Sequence, residues 1–199
     1  KQTKSWPKDM DEWSHFLHDA SNNAVAKDSR VGPPRRLRWR AGPLWARSHE
    51  FTSSIAAMIS AGGRMFYVVD KGLPGITKWV PERWQLVARD AFNGVELWKR
   101  SLPDWRGQGW GNSALRARPE TAPRRLVATP DKLFMTFSYE GSLCVLDPAT
   151  GEMQKKIDGT TGCEELIVSE GTVLARLRKM RKKDGGQTNG YIVAIDADT

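Results

Sequence analysis

Leu86-Val87-Ala88-Arg89-Asp90-Ala91-Phe92-Asn93-Gly94-Val95-Glu96-Leu97-Trp98 is a phrase that the chain states three times. It returns as Leu143-Cys144-Val145-Leu146-Asp147-Pro148-Ala149-Thr150-Gly151-Glu152, and again as Tyr191-Ile192-Val193-Ala194-Ile195-Asp196-Ala197-Asp198-Thr199. Each copy is an alternating apolar run, an Asp, two spacers and an Asn or Thr, with Gly next in the first two. The aspartates recur at intervals of roughly 50 residues, and a repeat of that length made of short strands implies a β-propeller or a related array. The turn has a physical basis. The Asp carboxylate can accept the N–H groups of the residues that follow, and Gly supplies the positive φ that re-enters the next strand. Asp90, Asp147 and Asp196 therefore read as structural and not as catalytic.

A blade is a four-stranded antiparallel meander, so each unit should carry four short strands separated by turn chemistry. The second unit, 124–158, shows the plan most plainly: strands at Arg125 to Ala128, Leu133 to Phe137, Leu143 to Leu146 and Met153 to Ile157. The first, 53–101, has strands at Ser54 to Ser60, Arg64 to Val69, Trp84 to Ala88 and Val95 to Lys99, with a Gly- and Pro-rich loop from Asp70 to Glu82. The third, 164–199, has Glu165 to Val168, Thr172 to Leu177 and Tyr191 to Ile195 and lacks a fourth strand. A lone strand is expected at Pro33 to Trp39, with Trp39 standing as Trp98 stands in the first unit. Residues 33–199 thus read as about three blades, the N-terminal part of a longer propeller. Residues 1–32 read as an N-terminal extension. There Trp13, Phe16 and Leu17 fall at i, i+3 and i+4, which predicts one or two helical turns.

The bulk numbers fit an ordinary globular protein: 199 residues, 27% charged and 39% hydrophobic. No run of about 18 apolar residues is present, which excludes a helical membrane span in this sequence. The opening, Lys1 to Trp6, has no apolar signal core, so a signal was either not needed or already removed. The net charge of +8 raises the question of nucleic acid. However, the basic runs at Arg35 to Arg40 and Arg176 to Lys183 read as a half-exposed strand and a hairpin loop, with no nucleic-acid motif beside them. Cys144 lies in an apolar strand and Cys163 by a turn; both read as packed thiols, with a disulfide between them the alternative.

Ala88-x-Asp90-x-x-Asn93-Gly94-x-x-Leu97-Trp98 resembles the tryptophan-docking repeat of the pyrroloquinoline-quinone (PQQ)-like β-propellers. The second copy keeps Asp147-x-x-Thr150-Gly151 and has Lys155 where the Trp would stand, and the third keeps Asp196-x-x-Thr199. The opening, Trp13-x-x-Phe16-x-x-Asp19 through Asn22-Asn23 to Leu37-x-Trp39, is similar to that of large bacterial PQQ-like repeat proteins, many from planctomycete-type bacteria. The resemblance implies that Trp98 lies flat between neighbouring blades, its one N–H satisfied there. Some members of the family are quinoprotein dehydrogenases, in which PQQ and calcium sit on the propeller axis beside a Trp, often a disulfide of adjacent cysteines, and an Asp base. This chain has no adjacent cysteine pair. Other members are docking platforms.

Residues at the ends of innermost strands ring a propeller's channel. This makes His49, Glu50, Arg124 and Glu164 the candidate channel residues, against a reading as solvated loop side chains. Trp105-Arg106-Gly107-Gln108-Gly109-Trp110 lies in a long connection, so Trp105, Arg106 and Trp110 are candidate partner contacts, since Trp and Arg dominate interface hot spots. The alternative is that an indole there plugs a gap between blades. His15 and His18 are read as surface polar groups, lacking the further ligands that zinc takes. The favoured function is a non-catalytic binding or scaffold propeller of the bacterial cell envelope or secreted compartment, with a protein partner. The competing one is a PQQ- and calcium-dependent dehydrogenase, or an accessory domain of a larger enzyme.

Overall fold

Alternating apolar runs bounded by Gly, Pro and Asp become strands wherever the computed structural model describes them, over residues 7, 9–30, 32, 35–42, 55–73, 81–103, 105, 121–178 and 190–198. The first sheet has the order β1 (Ile55–Ala61), β2 (Arg64–Asp70), β3 (Trp84–Asp90) and β4 (Glu96–Ser101). The second has β5 (Leu126–Ala128), β6 (Leu133–Thr136), β7 (Leu143–Leu146) and β8 (Met153–Lys156), preceded by a 3-10 turn at Ala122–Arg125. The third has β9 (Cys163–Ser169), β10 (Thr172–Leu177) and β11 (Tyr191–Asp196). All pairings are antiparallel between neighbours in sequence, so the fold is an all-β, partial β-propeller. The expected strands at Leu143 to Leu146 and Thr172 to Leu177 are found with those bounds and the other blade strands within about two residues, whereas the lone strand expected at Pro33 to Trp39 is not formed over residues 35–42.

Burial grades radially. The second sheet is buried through β5, β6 and β7, then exposed along β8, and β4 and β11 are likewise mostly exposed. β1 touches β5 and β5 touches β9, which makes these the inner strands of successive blades. Between the blades lie two apolar layers, one joining the first and second sheets through Phe66, Leu86, Leu126 and Met135, the other joining the second and third through Val127, Phe134, Val173 and Leu177.

The repeated phrase builds the turns as its chemistry requires. Asp90 Oδ1 accepts the N–H groups of Phe92 and Asn93 at 2.9 and 3.0 Å, and Asp147 Oδ1 accepts those of Ala149 and Thr150 at 2.6 and 3.1 Å. Gly94 and Gly151 both have φ of 75°. Each glycine also receives an indole. Trp39 covers Gly94, and its Nε1 donates to Ala91 O at 3.2 Å; Trp98 covers Gly151, and its Nε1 donates to Pro148 O at 3.0 Å. Ala91 and Pro148 occupy the same place, one after the Asp. At the third turn that place is Ala197, whose carbonyl accepts Lys132 Nζ instead. Trp39 docks as the lone-strand reading requires, although residues 35–42 form no strand.

The helical expectation for the N-terminal extension is overturned: among residues 9–30 there is no helix, only an isolated bridge between His15 and His18. The reason lies in where the backbone bonds go. Trp13 O accepts Ser60 N–H of β1 at 2.7 Å, Ser14 O accepts Ala128 N–H of β5 at 3.1 Å, and His15 Nε2 accepts Val168 N–H of β9 at 3.0 Å. Three consecutive residues thus strap the inner edges of three successive blades, and carbonyls spent on strand edges cannot build a helical ladder.

A Cβ at residue 151 would stand 2.6 Å from Trp98 Cε3, whereas one at Gly159, which has the same φ of 75°, meets nothing within 4 Å. Gly159→Ala should therefore cost about 1 kcal/mol for the left-handed backbone alone. Gly151→Ala should cost about 2 kcal/mol or more, because the indole must also move. Urea unfolding of the two variants measures the difference, and equal losses would refute the indole contact.

Candidate functional site

In each meander the first and third strands run toward one end of the blade. The Asp turns and the strap crossings at Ser60, Ala128 and Val168 lie there. The opposite end, the rim, holds the start of β5, the end of β6, the start of β9 and the end of β10. It is rich in charge. Arg124 pairs with Glu165 at 2.5 Å and stands 5.4 Å from the ring of Phe16, which reaches up from the strap. Arg178 pairs with Glu140, and Arg176 lies 3.9 Å from both Glu164 and Glu165.

Arg124 and Glu164 are thus both on the rim, yet each has another partner; the two are not brought together as a pair. His49, Glu50, Arg106 and Trp110 lie outside the described residues. Trp105 is buried, 2% exposed, in the layer between the first and second sheets, so it offers no surface to a partner.

Arg125 is the rim residue that sequence reading missed. It is 1% exposed, its Nη1 donates to Tyr139 O at 2.5 Å, and its guanidinium stands 4.4 Å from the Tyr139 ring centroid. Its Nε and Nη2 are buried without a hydrogen-bond partner. Burial pulls its pKa down. Arg178 stands 5.0 Å from the same ring. The one available sequence signal was the Arg124-Arg125 doublet just before a strand; the two end a 3-10 turn, so strand alternation does not say which of them turns inward.

Cys144 and Cys163 are free, buried thiols, which removes the disulfide alternative. Burial pushes the Cys163 thiol up to about 12 and raises that of Cys144 as well, so neither is a reactive thiolate. Among the described residues no three His, Cys, Asp or Glu side chains gather so as to hold a metal ion, and no helix is long and apolar enough to cross a membrane.

The two strap histidines are interior groups, not the surface groups that the sequence suggests. His18, 1% exposed, adopts a positive φ of 74° at the turn, with Nε2 2.6 Å from Asp11 Oδ2 and Nδ1 3.4 Å from Asp19 Oδ2. Burial opposes ionisation of Asp11, but bonds from Lys27 N–H, Glu12 N–H and His18 hold its carboxyl below the usual range. The Lys27 ammonium, then the hydroxyl and N–H of Ser21, hold Asp19 well below it. His15 differs. The N–H of Val168 points at Nε2, so that atom must carry a lone pair, and the proton sits on Nδ1, 2.8 Å from Ser14 Oγ. Burial lowers the His15 pKa to about 4, and the nearby Asp19 carboxylate only partly opposes it.

The fold is similar to that of a europium-containing methanol dehydrogenase, with a TM-score of 0.55 and 16% identity over 96% of this chain and 31% of that one. A quinohemoprotein alcohol dehydrogenase from Comamonas testosteroni matches 94% of this chain and 26% of its own length, at 14% identity and a TM-score of 0.46. The chain thus spans less than a third of the length of either. No protein-family model matches the sequence, and no curated protein matches it. At such identities the likeness is one of fold.

Because folded His15 refuses a proton that the unfolded chain accepts from about pH 6.5 down, stability should fall as pH drops from 6.5 toward 4. The loss between pH 7 and pH 5 is about 2 kcal/mol. His15→Gln, whose amide oxygen can take the Val168 N–H, should flatten that slope in urea midpoints. Identical slopes in the two proteins would clear His15 of the effect.

Proposed function

We propose that this chain is part of a non-catalytic binding or scaffold propeller of the bacterial cell envelope or secreted compartment, its rim being the surface that meets the partner. One observation carries the reading. The three carboxylates around the rim arginines, Glu140, Glu164 and Glu165, each lie within ion-pair distance of an arginine. A general base must be free to accept a proton from substrate, and a carboxylate clamped by a guanidinium is a poor one. The rim's surplus is in donors and positive charge, which suits holding a group more than removing a proton from it.

The second reading, a PQQ-dependent dehydrogenase, is favoured by the fold likeness to a methanol dehydrogenase. The residues present fit that cofactor incompletely. The chain's two cysteines, Cys144 and Cys163, are separate buried thiols and do not supply the adjacent-cysteine disulfide that the resemblance implies.

The full-length protein incubated with PQQ and calcium should emerge from gel filtration without quinone absorbance, and should not reduce an artificial acceptor with an alcohol. Stoichiometric quinone and acceptor reduction would sink the binding reading. Arg176→Glu, at an exposed rim position, should weaken retention of a partner identified by cross-linking at least several-fold; unchanged retention would exclude the rim as the contact.

A further inference from the structure

We propose that the rim end of the seam between the second and third sheets binds an oxyanion, the carboxylate or phosphate group of a ligand, on the free fork of Arg125. This rests on the reading of the rim as a binding surface and names the chemistry that the surface recognises.

The argument begins with the guanidinium edges. Nη1 of Arg125 is committed to Tyr139 O, and the Tyr139 ring lies against the guanidinium plane, so the side chain is held in one orientation. The two nitrogens left over, Nε and Nη2, are both buried and both without partner. They form one edge of the guanidinium, and their N–H groups run parallel. That edge accepts two oxygens of a carboxylate or phosphate at once, a geometry that lysine cannot reproduce.

Among the described residues no carboxylate lies within ion-pair distance of Arg125; Glu164, near enough to favour its charge, lies 3.9 Å from Arg176, and the other rim glutamates pair with Arg124, Arg176 and Arg178. Cys163, close enough to feel the Arg125 charge, remains a neutral thiol. A buried guanidinium with two of its three nitrogens unpaired is costly in a protein interior.

Further unfilled donors lie beside it. β6 packs against the 3-10 turn that ends at Arg125, and Oγ1 of Thr136, the last residue of β6, is buried without partner. Arg178, over the same Tyr139 ring, also has a buried Nε without partner. Arg178 is in addition a wall of a pocket of about 520 Å³ with Glu164, Arg176 and Tyr191; Arg125 does not line that pocket but shares the Tyr139 ring with Arg178, so the pocket can take the body of a small ligand beside the fork.

The test titrates the protein, in a zwitterionic buffer at constant ionic strength, with sodium phosphate, sodium acetate and sodium chloride, followed by calorimetry and thermal shift. A saturable 1:1 response to phosphate or acetate and not to chloride is expected, and the anion that saturates identifies the group. Arg125→Lys keeps the charge and removes the fork, and should raise Kd at least tenfold. Thr136→Val, close in shape, should raise it about three- to tenfold with the β-sheet spectrum unchanged. No saturable response to either oxyanion in the unaltered protein, or one that chloride matches, would overturn the proposal. So would an unchanged Kd in a folded Arg125→Lys; should that variant not fold, an unchanged Kd in Thr136→Val has the same force. No oxyanion binding by the unaltered protein while it still retains the cross-linked partner would reject this site alone, whereas quinone uptake would reject the underlying reading.

Discussion

Each inner strand of a propeller turns one edge toward the axis, and the N–H groups along that edge must find acceptors that no blade supplies. Here the acceptors come from three consecutive residues. An extended backbone crossing the three edges reaches β1 and β5 with the carbonyls of Trp13 and Ser14, and reaches β9 with the imidazole of His15. The last bond needs a side chain that is long, flat and able to accept, which a neutral imidazole is. The arrangement fixes the strap as part of the core. Buried His18, edge-on to the Trp13 ring at a centroid distance of 5.2 Å, closes the turn that follows. It also sets Phe16 beneath Arg124, so the same segment that closes the axial edges supports the rim.

The blade spacing on which the strap depends is set from outside. Two indoles lie on two glycines at the outer turns, and each passes its N–H to the carbonyl one after the turn Asp. Lys132 meets the equivalent carbonyl of the third blade and also pairs with Asp198 at 2.6 Å. A lysine at this junction supplies a point charge where the others use a flat apolar body, so contact area there comes instead from Val173, Ala175 and Leu177 against Val127 and Phe134.

The strands and turns were legible because their signals are local: period-two alternation, Asp and Gly at fixed offsets, a Trp eight positions after the Asp. The strap was not legible for the opposite reason. Trp13, Phe16 and Leu17 carry a helical spacing, but the partners of Trp13, Ser14 and His15 lie at residues 60, 128 and 168, and such distant demand overrides local propensity. His15 and His18 looked like surface groups because nothing nearby in sequence announces a strand edge or a carboxylate pair. At the rim, sequence located the right element and chose the outward residue of it. Arg124 faces Glu165 in solvent reach, while Arg125, its neighbour, is buried; the two end a 3-10 turn, where no strand alternation foretells which goes inward.

The two ends of the blades therefore differ in how completely their polar groups are used. At the turn end the Asp carboxylates, the indoles, Lys132 and the strap satisfy one another, and a ligand there would have to displace bonds that hold the blades in register. At the rim the carboxylates are matched by arginines, and the buried fork of Arg125 is left over. Polar recognition draws on donors and acceptors that the fold itself has not satisfied, since bonds already made must first be broken. By that criterion the proposed binding surface falls, among the described residues, at the rim and within it at the seam between the second and third sheets.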